Sequence, residues 1–78
     1  MDTRDFTREL AARKGISEQT AYRYINTVMD TIRLILAAGK EIEIGSFGKF
    51  TVVTEMNGSK SVVFRAAKSL NRAIGGGE

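Results

Sequence analysis

Arg65, Lys68 and Arg72 follow one another at i, i+3 and i+7 near the end of the chain, and no acidic residue interrupts them before Glu78. At that spacing three fixed positive charges can line one stripe, whose chemistry is the binding of anions. Residues 59–78 hold Lys60, Arg65, Lys68 and Arg72 against one acid, a balance of +3, which equals the net charge of the whole chain. Residues 1–16 carry +1, residues 17–38 balance, and residues 39–58 come to −1. An anionic partner is expected at the basic end. A second stretch, IEIGSFGKF at 42–50, sets Gly45 and Gly48 around Ser46-Phe47. Glycines so placed imply a corner where the backbone comes close to the protein itself, to a second copy, or to a ligand.

Composition removes most other chemistries. The chain has neither cysteine nor histidine, so it lacks disulfides, thiolate metal sites, the commonest general base and the commonest zinc ligand. Nothing in it assembles a carboxylate or lysine enzyme. No catalysis, cofactor, metal or small-molecule substrate is expected. The opening MDTRDFTREL is polar and mixed in charge, unlike a secretory signal, and no apolar run approaches the roughly 18 residues of a membrane span. A cytoplasmic protein without a membrane partner is expected. Seventy-eight residues allow one domain, read as 1–74 with a loose glycine-rich tail at 75–78. Such a chain buries only about 60–65% of its unfolded surface, so oligomerisation is the expected extra source of stability.

These side chains are positioned by elements that the hydrophobic period reveals. Phe6, Leu10, Ala11 and Lys14 fall at helical spacing over 4–14, with Thr3 as N-cap and Gly15 as stop. Ser17 caps a second helix running to Ala38, closed by Gly39. Ala21, Ile25, Val28, Ile32, Ile35 and Leu36 line one stripe of it, while Tyr22, Met29 and Leu34 widen the apolar arc. A helix apolar over so wide an arc is buried on two sides, either in a crowded monomer core or between two subunits. From Lys40 the period becomes two. Ile42 and Ile44 mark a short strand, and 50–56 and 60–64 read as a hairpin around Asn57-Gly58. A two-residue turn there sets Glu55 opposite Lys60 and Val53 opposite Val62. Ala66–Ile74 then form a last helix, with Ala67, Leu70 and Ile74 inward. The order is α-α-β-β-β-α.

LAARKGISEQTAYRYI, residues 10–25, has the outline of a helix-turn-helix that would turn Gln19, Thr20, Tyr22 and Arg23 to a DNA groove. Any helical hairpin shares that outline, and Lys14 stands where the motif prefers an apolar residue. The corner and the closing stretch say more. The Phe-Gly-x-Phe of Phe47–Phe50 and the Phe-Arg-x-x-Lys-x-Leu of Phe64–Leu70, with this order of elements, resemble the HU/IHF family of bacterial nucleoid-associated proteins. The likeness spans nearly the whole chain.

That resemblance implies an α+β fold and an intertwined homodimer binding double-stranded DNA in the nucleoid. Phe47, Phe50 and Phe64 would close the dimer core, with Val28, Ile32 and Ile35 on the shared helices. Backbone N–H groups of the corner Ser46-Phe47-Gly48-Lys49 would lie near phosphates, and Arg65 and Lys68 would hold the DNA backbone. Asn71 stands where the family usually has a basic residue, with Arg72 beside it, and Arg4 is a further candidate contact. The family's long basic arm, whose proline wedges between bases, is absent. Glu55–Lys60 make only a short hairpin, and the chain contains no proline. Weak, sequence-tolerant DNA binding with little bending is therefore expected. Two alternatives remain: a protein-interaction or structural dimer of the same fold that has lost DNA binding, and a winged-helix transcription regulator with 50–64 as its wing. A break in the second helix near Thr27 would favour the regulator.

Overall fold

The structure, a computed structural model, describes residues 1–76; Gly77 and Glu78 of the expected tail lie outside the described residues. The chain forms two compact units that divide after Thr31. In the first, helix α1 spans Thr3–Lys14, and helix α2, Glu18–Ala37, begins. The cap of α1 is Asp2 rather than Thr3. The Asp5 N–H donates to Asp2 Oδ1 at 3.0 Å, and the Asp2 N–H donates to Asp5 Oδ2 at 3.3 Å. An aspartate one residue earlier can take part in this reciprocal box, which gives it the position. The bond from Asp5 holds the Asp2 carboxyl below its usual range, so this contribution is present above that range and lost as pH falls through the lowered value. At α2 the Thr20 N–H donates to Ser17 Oγ at 3.0 Å, the expected cap, and the helix is unbroken through Thr27. Its end lies at Ala37, one residue short of the expected limit.

This unit buries little. Thr7, Ala11, Ala21 and Ile25 are its buried residues, and Thr7 Oγ1 is satisfied by donating to the Thr3 carbonyl. Phe6 and Leu10 of α1 with Tyr24, Ile25, Val28 and Met29 of α2 line an open apolar notch. No helix among the described residues is long and apolar enough to cross a membrane.

The second unit carries the end of α2 and a three-stranded antiparallel sheet in the order β1-β2-β3: β1 Ile42–Ile44, β2 Gly48–Thr54 and β3 Lys60–Ala66. Both long strands lie two residues away from their expected bounds on the corner side. The hairpin register also differs: Val52 faces Val62, Val53 faces Ser61 and Thr54 faces Lys60. The cause is the turn. A two-residue type I′ turn needs φ > 0 at both central residues, yet among the described residues only glycines have positive φ. Asn57 instead accepts the Ser59 N–H on its own Oδ1 at 3.0 Å, and Gly58 alone takes the left-handed region at φ 89°. Gly58 N–H donates to the Glu55 carbonyl and Glu55 N–H to the Ser59 carbonyl, closing a three-residue loop. Glu55 therefore faces Ser59, and the expected pair with Lys60 does not form across the ladder.

Helix α3 is shorter than expected, Lys68–Ala73 with Ala67 as its extended N-cap, because Ala66 is held in β3 opposite Gly48. Leu70 is half-buried, whereas Ile74, expected inward, is exposed in the single chain. Gly76 N–H donates to the Asn71 carbonyl at 2.8 Å, so the residues after the helix fold back on it at least that far. Gly48 is the buried residue of the second unit among those described. A Cβ there would stand 2.5 Å from Phe64 Cζ and 2.7 Å from the Arg65 carbonyl oxygen. The corner's close approach is thus to the protein itself. Gly48→Ala should cost about 1–3 kcal/mol by overpacking, read as a lower urea midpoint. An unchanged midpoint would mean that the Phe64 ring does not lie across this backbone.

Candidate nucleic-acid interface

Residues opposite one another on antiparallel strands share a face of the sheet. Ile42, Phe50 and Phe64 form one such row, with Ile44, Gly48 and Ala66 beside it. The Phe64 ring lies 4.8 Å from that of Phe50 and 5.4 Å from that of Phe47, both tilted. Phe64 is therefore the centre of the aromatic cluster. Phe47 and Phe64 remain 48% and 41% exposed, so the cluster is assembled but not covered within one chain. Of the helix residues assigned to the same core, Ile32 and Ile35 are half-buried and Val28 is exposed.

The opposite face is polar at the corner end. Glu43, Lys49 and Arg65 form its row across the three strands, followed by Thr51 with Val63 and by Val53 with Ser61. Arg65 is thus a strand residue. The three-step spacing from Arg65 to Lys68 is not one helical turn, and the expected stripe begins only at Lys68, with Arg72 one turn later on α3. The backbone supplies the link instead. Ala67 N–H donates to the Phe47 carbonyl at 2.9 Å, tying the start of α3 to the corner. Lys49 and Arg65, adjacent in the ladder, and Lys68, next to the tied residue, are brought together around the corner.

The corner amides divide. Gly45 has φ 36°, and Phe47 N–H donates to the Ile44 carbonyl at 2.8 Å. The Phe47 amide is therefore engaged within the turn. No hydrogen bond engages the Ser46 N–H among the described residues, and Ser46 is exposed. Arg4 lies on α1 in the first unit. One partner went unforeseen: Lys49 Nζ stands 3.2 Å from Glu41 Oε1, with both side chains about half exposed. The alternation Glu41-Ile42-Glu43-Ile44 signals two carboxylates on one face, but only the β1–β2 register places them beside Lys49.

The family model for bacterial DNA-binding proteins matches residues 1–57, ending inside the hairpin loop. No curated protein sequence matches the chain. Among solved structures, the chain is similar to a point mutant of HU from Thermotoga maritima, with a TM-score of 0.84 and 26% identity over 95% of this chain and 99% of that one. HU from Thermotoga maritima itself gives 0.82 and 24% identity, over 95% and 98%. These structures and the unbroken α2 remove the winged-helix alternative. With the family match covering most of its length and the α-α-β-β-β-α order agreeing throughout, the chain belongs to the HU family of bacterial DNA-binding proteins.

Proposed function

We propose that the protein is a homodimer that binds double-stranded DNA in the bacterial nucleoid, sequence-tolerantly and weakly, through phosphate contacts from its body. The observation that carries this reading is the strand register, which sets Lys49 beside Arg65 at a corner tied to the helix bearing Lys68 and Arg72. Phosphate contacts fix position without reading sequence, which suits lysines and arginines on a sheet and a short helix. The Ser46 N–H is a further donor of the same kind, and Arg4 on α1 a further candidate. A hairpin closed by three residues, without proline, offers no long arm and no proline wedge, so little bending is expected.

The dimer is supported by what one chain leaves open. Val28, Met29, Leu34, Phe47 and Phe64 are all exposed large hydrophobics, and no large side chain among the described residues is fully buried. That is too little core for a stable monomer of this length. A second copy covering Phe47, Phe50 and Phe64 together with Val28, Ile32 and Ile35 would supply the missing burial. Unfolding should then shift with protein concentration, and Phe47→Ala should cost about 3–5 kcal/mol and dissociate or unfold the protein. A monomeric mass by light scattering at micromolar concentration, with unchanged helicity, would reject the dimer.

DNA binding is tested by anisotropy with random-sequence duplex across a salt series. Arg65, Lys68 and Arg72 from two protomers neutralise about six phosphates, which gives a log–log salt slope of about −5. Affinity should be roughly micromolar or poorer at physiological salt. Lys68→Ala removes two contacts per dimer, flattening the slope by about 2 and weakening all sequences alike. No salt-sensitive binding even at ~50 mM salt, where this attraction is strong, would sink the reading. The fold would then serve as a protein-interaction dimer.

A further inference from the structure

We infer that Glu41 and Glu43 form an acidic edge that competes with DNA phosphate for Lys49 and confines the anion-binding part of the sheet to its β3 side. The inference rests on the DNA-binding reading and adds a limit to it. Glu43 is the direct ladder partner of Lys49 on the same face, and Glu41 Oε1 reaches its ammonium at 3.2 Å. On the other side, Arg65 belongs to the outer strand, and among the described residues its one cross-strand neighbour is Lys49. Along this end of the sheet two carboxylates therefore stand against two cations, with the acids on β1 and at the residue preceding it, and the charge of Arg65 on β3.

The consequence is electrostatic. A phosphate approaching Lys49 meets an ammonium already paired and two like charges behind it, so Coulomb repulsion offsets much of the attraction. The pair is half exposed, so it is weak enough to exchange and acts as a brake rather than a lock. A phosphate approaching Arg65 from the β3 side meets no such edge. The nucleic-acid backbone is thereby directed along β3 and toward Lys68.

The test compares wild type with Glu41→Gln/Glu43→Gln in the same salt-dependent anisotropy titration, with circular dichroism as the check on folding. Releasing Lys49 in both protomers should raise affinity and steepen the log–log slope by about 2. Adding Lys49→Ala to the double variant should abolish that gain. Glu9→Gln, which neutralises a carboxylate paired to Arg13 on α1, should not reproduce it. An unchanged slope in the double variant, or equal steepening by Glu9→Gln, overturns the acidic edge while leaving the DNA reading intact. Binding by the double variant alone would overturn the DNA reading for the native chain and support the edge. Binding by neither would overturn both.

Discussion

The Phe64 ring lying across Gly48 is the contact on which the second unit turns. It requires a residue without a Cβ at 48, and it fixes β3 against the start of β2. Once Phe64 faces Phe50, every other pair follows: Ala66 meets Gly48, Arg65 meets Lys49, and the chain leaves the sheet one residue before Ala67 is tied to Phe47. A slip of one residue would send Arg65 to the aromatic face and Phe64 to the polar one. The packing of one ring thus sets the position of the cations. The same contact explains why the corner needs little from its side chains. Ser46 sits at the exposed tip, where only backbone geometry is demanded.

The burial pattern has a second consequence. Both units keep apolar side chains that the single chain does not cover: Val28 and Met29 in one, Phe47 and Phe64 in the other. Each has local order without a closed core. The proposed second copy would supply the missing hydrophobic burial, and the aromatic cluster it would cover is already assembled, with tilted rings in contact. The aromatic face and the face that carries Lys49 and Arg65 lie on opposite sides of the same small sheet. Covering one therefore leaves the other open, as the proposed dimeric DNA-binding body requires.

Much of this was legible in the residues. Periods of 3.6 and then two identified every element, and charge alone marked Arg65, Lys68 and Arg72, whereas Lys49 entered only through the corner that the family resemblance singles out. The misreadings share a cause. Asn57-Gly58 serves both a two-residue turn and a three-residue loop, and the doublet does not reveal whether Asn57 takes positive φ. Ala66-Ala67 favours a helix by propensity, yet tertiary pairing with Gly48 keeps Ala66 extended. The same pairing holds Arg65 in β3, outside the helical stripe that its spacing to Lys68 suggests. The Glu41–Lys49 pair depends on register between strands separated by a turn, and no local pattern encodes that.

The hairpin sets the balance between contact and order. β1 pairs only with residues 48–50, so beyond them β2 and β3 run as a two-stranded ribbon. Such ribbons are marginal in water without a covering layer. Here the ribbon is brief and is closed by backbone bonds at Glu55, Gly58 and Ser59 and by the Asn57 side chain. A longer ribbon would present more contacts to a nucleic acid, but it would have to be ordered on binding, at an entropic cost. The short hairpin avoids that cost because it is already formed, and it gives up the contacts. In the proposed binding mode the affinity comes from the cations at the corner and on α3, where each charge added or cancelled is a large fraction of the total.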